Sequence, residues 1–464
     1  MRMRALIVAL LLASNAQPER LASQAAGAPS APKPNVVLIL MDDMGYGDLG
    51  SYGASDARTP NIDRLAHEGV RLTDAYANGP VCTPTRAALI SGRYPQRAGL
   101  EWALTLSPPD RELGLAATGT SLPALLKNNG YATGLVGKWH LGWKPEFRPS
   151  AHGFDEFYGF LSGAHDYYTD AVGAGAPNVD APPDLYENAT PVQPAGYLTD
   201  EITRRAVRFI ERQAHGPFFL EIAYNAVHWP FQPPDRPPTD AERSSPRRLV
   251  QMPDDSVPAT RQDYLKMLER ADQGVGKVLA TLDSLGLTRN TLVIFTNDNG
   301  GEWLSRNAPL FHRKGTLWEG GIRVPLILRW PGVLPAGRTS AQVAITMDLT
   351  ASILTVTGTP TPAGYRPDGV DLFPMLLGNA PLRDRQLFWR IARPSRQQRA
   401  VRSGTWKLLI DAGQLLLFDL ARDPGERTEL AARHPDVVAK LRRLATDWEN
   451  DVGLPRATDP PTRN

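Results

Sequence analysis

From Asn35 to Met41 the chain reads Asn-Val-Val-Leu-Ile-Leu-Met. A strand with one wet face alternates apolar and polar side chains. An unbroken apolar run rich in β-branched residues fits a strand covered on both faces, as in a parallel sheet packed between helices. Runs of the same texture recur at Tyr131–Gly137, Phe218–Ala223, Thr291–Thr296 and Val324–Arg329. Helical periodicity fills the stretches between: Thr59–Glu68, Thr85–Ile90, Ser121–Asn128, Asp200–Gln213, Gln262–Leu285 and Asp348–Thr357. Strands alternating with helices predict an α/β fold, a large doubly wound and mostly parallel sheet flanked by helices.

The texture changes near residue 385. Gln386–Ile391, Ala400–Leu409 and Gln414–Leu420 read as short strands joined by turns, one of them at Asp411-Ala412-Gly413. Pro435–Glu449 reads as an amphipathic helix. A small C-terminal antiparallel sheet with one covering helix is expected. The expected division is a leader at 1–34, a catalytic α/β domain at 35–385 and a small α+β subdomain at 386–464. Pro230–Pro258, rich in Pro, Ser, Arg and Asp, reads as a long surface loop.

Composition removes several functions. With 51 basic and 49 acidic residues there is no basic excess for nucleic acid. One cysteine excludes a disulfide framework. No apolar run reaches the length of a membrane span. Two arginines within Met1–Arg4, the apolar Ala5–Ala13, and small residues at Ser14 and Ala16 read as a secretory signal peptide followed by a flexible leader. The expectation is export, to a bacterial periplasm or outside the cell. Export leaves the single cysteine in an oxidising compartment without a partner.

Polar groups collect where the buried runs end. Asp42 and Asp43 directly follow the first, and in open α/β sheets ligands gather at the carboxyl ends of strands. Adjacent carboxylates repel unless a cation joins them, and hard oxygen ligands suit Ca²⁺ or Mg²⁺. Asp298 and Asn299, before Gly300-Gly301, close another run, although Asn-Gly is also ordinary turn chemistry. Asp254-Asp255 is a similar pair in a loop and is assigned nothing. Cys82 lies near a helix start, with Pro84 and Arg86 following. There the helix dipole and Arg86 would stabilise negative charge, while a buried structural cysteine explains the position equally well. The chain holds nine lysines against 42 arginines, so a lysine near a strand end is worth noting. Lys138 and His140 end the run at Tyr131–Gly137, His228 follows Phe218–Ala223, and Lys314 precedes Gly320-Gly321. Oxygen ligands, cations and proton donors together suit a metal-dependent hydrolase of phosphate or sulfate esters.

The stretch Cys82-Thr83-Pro84-Thr85-Arg86, followed by Leu89-Ile90-Ser91-Gly92-Arg93, resembles the signature of the formylglycine-dependent sulfatases of the alkaline-phosphatase superfamily. The resemblance runs from about Asn35 to the end of the chain. It includes Asp42-Asp43, Gly137–Gly142, His228, Asp298-Asn299-Gly300, Lys314-Gly315, Glu319–Pro325, Phe418-Asp419-Leu420 and Asp423–Glu426. It implies that a formylglycine-generating maturation enzyme oxidises Cys82, which would explain the unpaired cysteine. The hydrated aldehyde would attack sulfur with one hydroxyl. Ca²⁺, with Mg²⁺ as the other candidate, would be held by Asp42, Asp43, Asp298, Asn299 and residue 82. Asp298 would also help deprotonate the nucleophile. Lys138, His228 and Lys314 would bind sulfate, Lys138 or His228 would protonate the departing alcohol, and Arg86 would orient the diol. His140 would take the proton of the second hydroxyl, so that sulfate leaves by elimination. Thr85 and Ser91 stand where many members have serine and threonine. Thr428-Glu429 stands where the family's small-domain motif usually has Asn.

The aromatic stretch Gly153–Phe160 with His165-Asp166-Tyr167-Tyr168 suits sugar rings or a plain core. It resembles members acting on sulfated amino sugars such as N-acetylgalactosamine sulfates. Trp143, Trp303 and His312 are candidates for the substrate side. The expected substrate is a sulfated carbohydrate, with small aryl sulfates as surrogates. A phosphodiester or phosphonate monoester hydrolase on the same scaffold is the alternative. A non-catalytic glycan binder would need a missing ligand or nucleophile, and none is missing.

Overall fold

Five parallel strands form the centre of a ten-stranded sheet: β1 (Asn35–Met41), β2 (Ala132–Gly137), β3 (Glu156–Phe160), β4 (Phe218–Ala223) and β5 (Thr291–Asn297), in the spatial order β5-β1-β4-β2-β3. The computed structural model describes residues 32–169, 183–237 and 259–453. The signal-like segment before residue 32, Asp254-Asp255 and most of the Pro230–Pro258 tract lie outside the described residues. Alternation along β1 explains its composition. Val36, Leu38 and Leu40 enter one hydrophobic core, whereas Val37, Ile39 and Met41 enter another on the opposite face. Helices Cys82–Ser91, Leu122–Asn128 and Met347–Val356 cover the first face. Helices Pro60–Glu68, Leu198–Arg212 and Arg261–Ser284 cover the second. Among the described residues, no helix is long and apolar enough to cross a membrane.

The sheet is mixed at both edges. The run expected at Val324–Arg329 forms a strand only at Leu326–Arg329, antiparallel to β5. Beside it lie Val70–Leu72 and Arg338–Ser340. At the far edge Leu185–Glu187 and Thr190–Pro191 add antiparallel pairs. An apolar run shows that both faces are buried but leaves chain direction open.

Register places the functional loops. Met41 pairs with Asn297, Leu40 with Ala223, and Ala223 with Gly137. The next residues, Asp42, Asp298 and Lys138, therefore leave the same edge of the sheet. Gly137 is required there. Its φ is 113°, and an added Cβ would stand 1.9 Å from the Ala223 carbonyl oxygen, which already accepts the Lys138 N–H at 2.8 Å. Gly137→Ala is expected to cost at least about 2 kcal/mol, measurable as a lower denaturant midpoint, and to displace Lys138.

The C-terminal sheet has four strands, β6 (Gln386–Arg393), β7 (Arg396–Ser403), β8 (Trp406–Asp411) and β9 (Gln414–Asp419), each antiparallel to the next. Ala400–Leu409, expected as one strand, is divided between two. Gly404 adopts φ 60°, and the chain reverses so that Ser403 faces Trp406. Helix Pro435–Val452 packs on this sheet through Val438, Leu441 and Ala445. Leu387, Trp389 and Ile391 of β6 share a core with Tyr76, Ala88 and Ile345, and the Trp389 indole donates to the Ala77 carbonyl at 2.8 Å. Within the same contact the Lys407 ammonium is fully buried, 2.9 Å from both Glu319 and Glu426. The Glu426 carboxylate also accepts the Glu319 N–H at 2.6 Å.

Burial pushes Glu426 up to about 7, Lys407 opposes the rise and Glu319 adds to it. The folded carboxyl then keeps its proton at pH values where the unfolded one, near 4.5, has lost it. Its contribution to stability is largest below 4.5 and falls as pH rises toward about 7. Glu426→Gln is expected to flatten that decline in urea midpoints compared near pH 5 and near pH 7.5. Parallel declines in both proteins would contradict it.

Candidate active site

The helix that carries Cys82 starts at that residue, three positions before the expected start. Pro84 is then its third residue, where the missing N–H is one that the helix cannot use. The Thr85 hydroxyl accepts the Gly79 N–H at 3.0 Å and closes the loop before the helix. The Cys82 sulfur stands 3.6 Å from Asp42 Oδ1, at the positive end of the helix dipole. Burial pushes the thiol well up, with Lys138 and Lys314 opposing. As a plain cysteine it is protonated at neutral pH and a weak nucleophile.

Arg86 lies one turn further on and is buried. It donates to Asp298 Oδ2 from Nε at 3.1 Å and from a terminal nitrogen at 2.9 Å, and to the Lys138 carbonyl at 3.1 Å. The helix is thereby tied to the ends of β5 and β2. The Lys138 ammonium, with no exposed surface, donates to Asp42 Oδ2 at 2.6 Å. Lys314, 11% exposed, donates to Asp43 Oδ2 at 2.6 Å and marks the more open side. The Asn299 amide donates to Asp43 Oδ1 at 2.8 Å.

The two histidines differ in tautomer. His228 Nδ1 lies 2.6 Å from the Trp229 carbonyl, so that nitrogen carries the proton, and Nε2 faces Asp43 at 3.4 Å. His140 Nε2 lies 2.8 Å from the Leu104 carbonyl, which leaves Nδ1 as a buried lone pair without a partner. Burial holds both rings below the ordinary histidine range. Asp43 opposes this at His228, and Lys138 reinforces it at His140. Both are neutral at pH 7.

Electrostatics fit a hard cation. Asp42 is pushed up to about 8 by burial and by the charge of Asp298, against Lys138. Burial also acts upward on Asp43, but the charge of Lys314, assisted by Lys138, outweighs it and holds the carboxyl below its usual range. Ligand atoms of Asp42, Asp43, Cys82 and His228 lie within 4.8 Å of one another. Asn299 Oδ1 is buried without a hydrogen-bond partner. Crowded carboxylate oxygens and an orphaned amide oxygen, with lysines already drawn in, suit a divalent metal.

All the expected site residues gather at the carboxyl edge of the sheet. The aromatic stretch does not line it: Phe154, Phe157, Tyr158, Phe160 and Tyr167 are buried in the cores, as is Trp143. Trp303 is half-buried and His312 exposed. Three residues escaped the sequence reading. Glu302 stands 3.6 Å from Lys314. Thr83 donates to the His140 carbonyl and accepts the Leu104 N–H, both at 3.1 Å. Glu221, midway along β4, is pushed up to about 7 by burial, with Arg86 opposing. The only signal for Glu302 was its place three residues after Asn299, and Glu221 sits in an otherwise apolar strand with no neighbouring motif.

Comparison with known proteins gives the family. The Sulfatase family model matches residues 34–359, and the model for the C-terminal part of N-sulphoglucosamine sulphohydrolase matches residues 309–449. The chain is 35% identical to N-acetylgalactosamine-6-sulfatase of Canis lupus familiaris, over 90% of this chain and 85% of that protein. It is 32% identical to steryl-sulfatase of Mus musculus, over 96% of this chain and 86% of that one. The crystal structure of Ps i-CgsB superposes with a TM-score of 0.81 at 32% identity, covering 91% of this chain and 94% of the other. With the family match spanning more than half of its length and the buried Cys82, Arg86 and acidic cluster meeting at one sheet edge, the chain belongs to the sulfatase family and is a sulfuric ester hydrolase.

Proposed function

We propose that the protein hydrolyses sulfate monoesters of sugars, with N-acetylgalactosamine-type sulfates as the leading substrate class, after Cys82 has been matured to formylglycine. The observation that carries this reading is the Cys82 side chain, buried at a helix start 3.6 Å from Asp42 and bracketed by Lys138 and Lys314. The sugar class rests on relatives named as N-acetylgalactosamine-6-sulfatases, and on a complex of Ps i-CgsB with k-i-k-neocarrahexaose. Formylglycine supplies a hydrated aldehyde with two hydroxyls, and a bound divalent cation supplies charge that lowers a hydroxyl pKa and neutralises sulfate.

The chain's own residues do the rest. Asp42, Asp43, Asp298 and Asn299, with residue 82, would hold the cation, Ca²⁺ or Mg²⁺. Lys138 and Lys314 would turn from their carboxylates to the sulfate oxygens. His228 presents an unprotonated Nε2, so it serves as proton donor only after taking a proton, whereas the Lys138 ammonium needs no such step. This favours Lys138 as donor to the departing alcohol, with His228 binding sulfate. Arg86, clamped on Asp298, would orient residue 82. His140, whose Nδ1 is buried without a hydrogen-bond partner, would accept a proton during release. Export, and maturation by a formylglycine-generating enzyme, complete the reading.

The test is the mass of the tryptic peptide Leu72–Arg86. Formylglycine replaces sulfur and two hydrogens with one oxygen, so a lighter, aldehyde-reactive peptide supports the reading. A plain thiol after co-expression with a maturation enzyme would overturn it. Chelation should also remove sulfatase activity by at least ~100-fold, and added Ca²⁺ or Mg²⁺ should restore it. Full activity in excess chelator would rule out an exchangeable metal.

A further inference from the structure

A carboxylate beside a sulfate-binding lysine is the odd feature of this site. Glu302 follows β5 in the Asn299-Gly300-Gly301 loop. Its side chain is 21% exposed, and Oε2 has no hydrogen-bond partner, with the Lys314 ammonium 3.6 Å away. The charged groups facing it are Lys314 and Asp43. The backbone holds it in place. The Gly301 carbonyl accepts the Lys314 N–H at 3.2 Å and the Asn307 amide at 2.9 Å, and the Glu302 carbonyl accepts the Ser305 N–H at 2.8 Å. The loops carrying Glu302 and Lys314 are thus joined directly behind both side chains. An affinity for sulfate alone gives no reason to fix a carboxylate there.

A need to discriminate does. A sulfate monoester and a phosphate monoester have nearly the same shape and differ in charge. The sulfate ester carries one negative charge, while the phosphate ester carries close to two at pH 7, its second pKa being about 6. A fixed carboxylate beside the anion's binding lysine penalises the second charge more than the first. We propose that Glu302 is a specificity-determining residue, whose carboxylate makes the site favour singly charged sulfate esters over doubly charged phosphate monoesters. The proposal rests on the sulfatase reading and extends it to why the lysine-rich pocket is not a phosphatase. One charge acting over several ångströms at a partly shielded site corresponds to roughly ten- to hundredfold in relative rate.

The experiment uses mature wild-type enzyme and Glu302→Gln with three chromogenic esters at pH about 7.5. These are para-nitrophenyl sulfate, para-nitrophenyl phosphate and bis(para-nitrophenyl) phosphate. The diester is the control, since it is a phosphorus ester with one charge. The expected result is that kcat/KM for the phosphate monoester rises at least about tenfold relative to the sulfate, while the diester-to-sulfate ratio stays within about twofold. If all three esters lose activity together, Glu302 only anchors Lys314 and the proposal fails. If the diester gains as much as the monoester, discrimination is by shape and the proposal also fails. A wild-type enzyme that carries the mature residue and yet ignores the aryl sulfate would overturn the sulfatase reading itself, whereas unchanged ratios in an active enzyme overturn only the role of Glu302.

Discussion

Cys82→Ala is expected to lower kcat/KM for an aryl sulfate by at least ~10⁴-fold. The residue is 2% exposed at the first position of its helix, so the change removes the proposed nucleophile, together with one ligand of the proposed cation site, and leaves the backbone of the helix start in place. Arg86, Lys138 and Lys314 take their partners from Asp298, Asp42, Asp43 and a backbone carbonyl, and of these only Asp42 also meets the Cys82 sulfur, through its other oxygen at 3.6 Å. The measurement is initial rate per folded protein, with the formylglycine content of the wild type known from the Leu72–Arg86 peptide. Residual activity within tenfold of the wild type would show that residue 82 is not the attacking group. Cys82→Ser sharpens the test. Serine offers one hydroxyl for attack and no second one to expel sulfate. It should release at most one equivalent of alcohol and stop, which a rapid-quench burst measurement would detect.

The second large effect concerns stability. Lys407→Met is expected to cost about 3–5 kcal/mol, because it leaves Glu319 and Glu426 buried with their shared cation removed. Against burial, Lys407 holds Glu319 down to about 2, with Arg323 and Arg402 assisting, so this carboxylate is ionised at neutral pH and cannot relax cheaply by taking a proton. Thermal and urea unfolding would report the loss. The triple variant Lys407→Met, Glu319→Gln, Glu426→Gln should recover much of it, since removing a whole buried ion cluster costs less than breaking it. A single Lys407→Met variant as stable as the wild type would show that the cluster is hydrated.

Legibility followed physical cause. Double-sided burial writes itself into local composition, so β1, β4 and β5 were readable within a residue or so. The direction of Leu326–Arg329 was not, since parallel and antiparallel central strands bury the same side chains. The Ser403–Trp406 reversal was missed because Gly404 sits among residues that suit a strand on either side. The aromatics at 153–160 carry the same ambiguity, because a ring stacks on sugar or on a core with equal ease, and here Phe154, Phe157 and Phe160 took the core.

What the sequence by itself determined is the chemistry available at each strand end: two carboxylates after β1, an Asp-Asn pair after β5, a lysine after β2, a histidine after β4, and a cysteine four residues before an arginine. Side-chain chemistry is local and survives without coordinates. Tertiary structure alone decided which of these groups neutralise one another. Sheet register brought Asp42, Lys138 and Asp298 to one edge, and the docking of the helix from Cys82 put Arg86 between Asp298 and the Lys138 backbone. It also placed Glu302 beside Lys314, and Lys407 between Glu319 and Glu426. Coulomb energies and desolvation depend on distances between segments far apart in the chain, and those distances exist only once the sheet has closed.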